Sequence, residues 1–219
     1  MKAFNTMTNE EIKAYLNECI TWTMNAKMEG MASLSTSPLC NKYCEMRHAN
    51  KTTICGHCFS EQMNARFKNL REKLIRNTEF LTTYELKPEQ IPFINRTIFR
   101  LESFGDLNNT LQVKNYFTIA NANPGTTFTL WTKNPWLIDE AMKTYGIDKP
   151  DNFIIILSSI LMNTPNESIT YGFIDKVFTV YDKEHAESVN INCGARKCVE
   201  CRRCYTKTDS IEYVNELLK

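Results

Sequence analysis

Apolar residues Ile12, Leu16, Cys19, Ile20 and Met24 recur at helical spacing behind a Thr8–Glu11 capping pair. This pattern predicts an amphipathic helix over residues 8–26, with Cys19 in the core. Residues 30–58 lose any period and are rich in Ser, Thr, Asn, Pro and Cys, which predicts an irregular loop. A second helix is expected from residue 60 to about residue 76. Four runs rich in β-branched and aromatic residues then read as strands, at 97–102, 126–132, 152–159 and 176–181. Helical stretches lie between them at 110–121 and 135–145, the latter with proline in its first turn and Gly146 just beyond its end.

Strands and helices that alternate in this way predict an α/β fold with a parallel sheet. The run 153–157, FIIIL, is apolar at every position, as expected of a strand buried on both faces in mid-sheet. Two architectures fit: a partial (β/α) TIM-like barrel, or an open parallel sheet with a cysteine-rich C-terminal extension. Both carry active-site groups at the C-terminal ends of strands, here Glu102-Ser103, Thr132-Lys133 and Ser158-Ser159. The expected division is an α/β core over 1–182, containing the N-terminal cysteine loop 30–58, and a cysteine-rich extension over 183–219 packed on that core. Asp209 and Glu212 have the spacing of a capping pair for a short terminal helix ending at Leu218.

With 219 residues, of which 42% are hydrophobic, the chain can build one sizeable core. Twenty-six Lys and Arg nearly balance 25 Asp and Glu, so net charge does not point to nucleic acid or an anionic membrane, and any basic surface is local. Charged residues Glu10, Glu11, Lys13, Glu18 and Lys27 interrupt the first thirty positions, unlike a signal-peptide core. No stretch reaches the roughly 20 apolar residues of a membrane span. The expected location is the cytoplasm. Thiols stay reduced there, so the nine cysteines point to metal binding rather than disulfides.

The densest signal is Cys193-x4-Cys198-x2-Cys201-x2-Cys204. Two-residue spacings let successive thiolates face one centre, and four is the number for one iron–sulfur cluster or one zinc. Arg196, Lys197, Arg202, Arg203 and Lys207 surround these thiols and would offset the charge of a thiolate-ligated centre; a solvated loop or a zinc-stabilised knob touching nucleic-acid phosphates would have the same charges. A second set, Cys40-x3-Cys44-x10-Cys55-x2-Cys58, reads either as four zinc ligands or as three cluster ligands with Cys44 spare. Three cysteines on a [4Fe–4S] cluster leave one iron open for chemistry. His48 and His57 lie in the same segment as further candidate ligands, and His185 precedes the second set.

The segments SPLC…C…ICGHCFS, FRLESFGD, FTLWTKNP and CGARKCVECRRCY, in this order, resemble the phage family known as gene product eighty-eight, over about residues 30–207. That family in turn resembles reduced radical S-adenosylmethionine (SAM) barrels. The resemblance implies that Cys40, Cys55 and Cys58 hold a [4Fe–4S] cluster, and that Glu102, Ser103 and Asp106 help orient SAM. It also implies an auxiliary cluster on Cys193, Cys198, Cys201 and Cys204. The long first cysteine gap departs from the usual C-x3-C-x2-C, and the glycine pair of the usual Gly-Gly-Glu turn is missing before Glu102. A strand-end turn of solvated acids at Glu102 and Asp106 is the structural alternative. The other functional readings are a noncatalytic cluster protein that carries electrons or binds a host partner, and a zinc-stabilised binding module. The substrate is not legible.

Overall fold

The computed structural model describes residues 3–23, 26–166, 171–194 and 196–218. Seven strands form one open sheet in the order β1-β2-β3-β4-β5-β6-β7: Thr21–Trp22, Ala32–Leu34, Ile98–Leu101, Thr127–Thr132, Phe153–Ser158, Lys176–Tyr181 and Glu212–Leu217. All neighbours pair in parallel except β1 and β2, which are antiparallel. Of the two architectures compatible with the sequence, the open sheet is the one formed. The helices are α1 (Asn9–Cys19), α2 (Lys42–Ala49), α3 (Phe59–Arg66), α4 (Lys68–Thr83), α5 (Thr110–Asn121), α6 (Trp136–Tyr145), α7 (Lys183–Ala186) and α8 (Cys198–Cys201). No helix among the described residues is long and apolar enough to cross a membrane.

Strand alternation divides the core in two. Phe99, Leu101, Phe128, Leu130, Phe153, Ile155 and Leu157 face a large cluster that includes Ile12 and Leu16 of α1, Phe80 of α4, Val113 and Phe117 of α5 and Ile138 of α6. The alternate positions Ile98, Trp131, Ile154 and Ile156 face a smaller cluster with Met31 and Tyr205. Helices therefore cover one face of the sheet, and the C-terminal tail covers part of the other. As its composition predicts, β5 lies between β4 and β6 and is buried at every position.

Several expectations are corrected. The first helix begins behind the Thr8 capping box but stops at Cys19, because Ile20 is extended and Thr21–Trp22 leave to pair with β2; Met24, counted in its pattern, lies outside the described residues. The expected helix over 60–76 is two helices broken at an extended Phe67, and the second continues to Thr83. Only α4 needs an apolar face against the sheet, burying Leu74, Phe80 and Leu81, whereas α3 buries only Asn64. The expected terminal helix is strand β7, paired in parallel with β6 over its full length. There Val214 is buried between the more exposed Tyr213 and Asn215, a period of two that the capping spacing concealed. The loop 30–58 also contains β2, α2 and two short helical turns, Pro38–Cys40 and Ile54–His57, so it is more ordered than its composition suggests.

Candidate metal centre

On the tail-covered face, Thr129 and Arg100 fasten the tail to the strands. The Thr129 hydroxyl donates to the Cys204 carbonyl at 3.1 Å, and the Arg100 guanidinium lies 4.0 Å over the Trp131 ring. Trp131 packs against Tyr205 with ring centroids 5.8 Å apart. Lys176 is fully buried and pairs with Glu212 at 2.5 Å; Arg203 of the tail pairs with the same carboxylate. A buried ammonium needs such a partner, so this pair ties β6, β7 and the tail to one another.

Against that support, Cys193, Cys198, Cys201 and Cys204 all line one cleft of about 310 Å³ of empty space, open to solvent, together with Lys27, Arg196, Arg202 and Arg203. The local backbone makes the convergence possible. Cys198–Cys201 form one helical turn, and Arg202 then adopts the left-handed conformation (φ 51°), with its N–H donating to the Cys198 carbonyl at 2.9 Å. That reversal brings Cys204 back toward the thiols of the turn. Cys193 is held separately, its N–H donating to the Asn215 carbonyl at 3.0 Å beside β7. Burial raises the thiol pKa of Cys198, and raises that of Cys204 to about 12, while Lys27 and Arg100 act in the opposite direction on Cys198, and Arg100 and Lys176 on Cys204. Metal coordination at these sulfurs would have to displace protons.

The other cysteine set lies at the C-terminal ends of β3 and β4. Asn41 caps α2, accepting from the N–H groups of Tyr43 and Cys44, and its amide donates to the carbonyls of Asp106 and Leu107 at 2.9 and 3.0 Å. The Tyr43 hydroxyl donates to the Lys133 carbonyl at 2.7 Å. Thr53 caps the turn Ile54–His57, which carries Cys55. The loop is thus fastened to the strand ends.

Cys44 lies within electrostatic reach of Asp106, Glu102, Cys55 and Cys58. Burial, followed by the nearby charges of Asp106, Glu102, Cys55 and Cys58, raises the Cys44 pKa strongly. Burial also raises that of Cys55, with Lys133 opposing it. Cys40 is exposed on the turn Pro38–Cys40. Both ring nitrogens of His48 are engaged, Nδ1 with the Cys55 carbonyl at 3.0 Å and Glu61 at 2.7 Å, and Nε2 with Lys51 at 3.3 Å. His57 is exposed, and His185 pairs with Asp182 at 2.8 Å.

Glu102 sits just past β3 with a left-handed φ of 54°, and is buried. Its carboxylate accepts from the Thr36 N–H and hydroxyl, from Gln112 Nε2 at 2.7 Å and from the Tyr116 hydroxyl. Burial raises its pKa to about 7 despite these donors. Asp106 accepts from the Leu107 N–H at 2.8 Å, the Thr132 hydroxyl at 2.5 Å and the Lys133 N–H at 2.9 Å, and burial raises its pKa. The Ser103 N–H donates to the Ser35 hydroxyl at 2.9 Å, and the Ser103 hydroxyl is buried without a partner among the described residues. At the end of β5, Ser158 and Ser159 are buried, with the Ser159 and Thr179 hydroxyls hydrogen-bonded at 2.8 Å.

Lys27, Arg100, Thr129 and Lys176 escape a motif search because they lie far in sequence from the cysteines. Arg100 and Lys176 did leave a trace, as single charges within otherwise β-forming runs. Among the described residues, no group of three or more His, Cys, Asp or Glu side chains is gathered so as to hold a metal ion. The four tail thiols instead surround the broader cleft described above.

Fold and site define an α/β protein with an open, mostly parallel sheet and two cysteine-rich loops, one at the strand ends and one across the sheet face. The family model of Gene product 88 matches residues 3–212, and the chain belongs to that family. No curated protein and no solved structure matches it.

Proposed function

We propose that this Gene product 88 family member is an iron–sulfur protein whose Cys193, Cys198, Cys201 and Cys204 hold one [4Fe–4S] cluster. The observation that carries the reading is that all four thiols line one solvent-open cleft among cationic side chains. The donor set fits such a group. Four sulfurs match the ligand number of a cubane, and a polynuclear cluster spreads its ligands wider than the roughly 2.3 Å Zn–S bonds of one zinc ion allow. Lys27, Arg196, Arg202 and Arg203 offset the negative charge that thiolates and sulfides bring. When bound, the cluster supplies a one-electron carrier; the chain's own residues bind it, screen it on the sheet side and compensate its charge.

A second reading is catalytic. Cys44 lies within electrostatic reach of Cys55, Cys58, Glu102 and Asp106 at the ends of parallel strands, where α/β proteins carry ligand sites, and this favours an open-iron cluster that binds SAM at the edge of the open sheet. In that reading Cys44 takes the place the family resemblance gives to Cys40. The hydrogen bonds that surround Glu102 argue against its carboxylate being the group that meets SAM.

The test is anaerobic purification followed by iron, acid-labile sulfide and zinc analysis and visible spectra with and without dithionite. Brown protein with about four irons per chain, bleached by dithionite, supports the principal reading; about eight supports a second cluster. A further spectral change on adding SAM, abolished by Cys44→Ser and retained in Cys40→Ser, supports the catalytic reading. Colourless protein carrying only zinc overturns both and leaves a zinc-stabilised binding module.

A further inference from the structure

We propose that Lys27 is a positioning residue that raises the reduction potential of the C-terminal cluster by holding its ammonium group against the sulfur of Cys193. The inference rests on the iron–sulfur reading above and names what tunes that site. Lys27 Nζ donates to Cys193 Sγ at 3.1 Å and to Glu216 Oε1 at 2.6 Å.

The arrangement is built from three separate parts of the chain. Lys27 belongs to the turn Ala26–Met28, which packs against α8. An ion pair between Glu29 and Lys197, 2.7 Å apart, clamps this segment to the tail. Cys193 bridges in parallel to Glu216 of β7, so the sulfur and the carboxylate are presented side by side to the same ammonium. The ammonium thus has a fixed address at a ligand sulfur.

An exposed Lys–Glu pair contributes little to stability, about 0–1 kcal/mol. Its effect on an electron is another matter. Lys27 and Glu216 are about three-quarters buried, with side chains 26% and 24% exposed, so their charges are less screened than at a free surface. A cluster gains one negative charge on reduction, and a cationic hydrogen bond to a ligand sulfur favours that more negative state. Glu216 opposes the effect while it holds Lys27 in place. Removing the Lys27 charge should therefore lower the potential while Lys27→Arg keeps it, a signature that a purely structural role would not produce.

The experiment is a mediated dithionite titration of the full-length protein, following the redox wave that Cys204→Ser abolishes. Lys27→Met should lower the one-electron reduction equilibrium constant about tenfold, a fall of about 59 mV, with iron and sulfide content unchanged. Lys27→Arg should stay near wild type. A wild-type potential in loaded Lys27→Met overturns the inference. If Lys27→Met does not retain its cluster, Lys27→Gln is read instead: a lower potential supports the inference, and a wild-type potential overturns it. Wild-type protein without iron would overturn the iron–sulfur reading itself, and this inference with it.

Discussion

The Thr129 hydroxyl, in the middle of β4, donates a 3.1 Å hydrogen bond to the carbonyl of Cys204, 75 residues further along the chain. This bond joins a polar position of the sheet face that also carries Arg100 and Lys176 to the residue bearing the last thiol of the tail. It explains why a threonine lies between Phe128 and Leu130, which face the helices, and it makes the cysteine segment part of the core.

Replacing that hydroxyl tests whether the tail depends on the sheet. Thr129→Val keeps the volume but leaves the Cys204 carbonyl without its donor, at an expected cost of about 1–2 kcal/mol. Urea unfolding of the metal-free protein measures this loss. Equal stability of the two proteins would mean that the tail is held without the bond.

Gly105 is required for space rather than for an unusual dihedral. A Cβ there would lie 2.6 Å from Thr36 Oγ1 and 2.7 Å from both the Thr36 carbonyl oxygen and Glu102 Oε2. Gly105→Ala must push apart the strand end and the Glu102 network, with an expected loss of about 1–3 kcal/mol. Thermal or urea unfolding reads it directly, and a neutral result would contradict the close packing.

Glu102 gives the fold a pH dependence with a definite sign. Burial raises its pKa from an ordinary 4.5 to about 7, so between these values the folded chain holds a proton that the unfolded chain has released. Its contribution is therefore fully present below about pH 4.5 and lost as pH rises through 7. Glu102→Gln removes this component, so wild type should lose stability relative to the variant as pH rises from 4.5 to 7. Parallel urea titrations across that window check it; two curves with the same slope would contradict a raised Glu102 pKa.

Much of the sheet is legible from sequence, because burial on both faces leaves a run such as FIIIL with no polar interruption. Helix α5 falls on its expected bounds, Thr110–Asn121, for a similar reason: its amphipathic run is long and well capped by Asn109. What escapes is decided by tertiary pairing. Strand β2 has only three residues, Ala-Ser-Leu, with no β-branched side chain, and exists because β3 lies beside it. Strand β7 carries a helix-start spacing at Asp209 and Glu212, yet the open edge of β6 overrides it. The cysteine motifs mark both thiol loops without revealing which thiols converge. Lys27 carries no local signal at all, since its link to Cys193 spans 166 residues.

The most direct test of the cluster assignment compares iron and acid-labile sulfide per chain in anaerobic wild-type protein and in a variant with Cys193, Cys198, Cys201 and Cys204 all replaced by Ser. The account predicts about four fewer irons and sulfides in the variant, with the corresponding loss of brown absorbance. Equal iron in the two proteins, or a wild type that holds zinc and no iron, would contradict it.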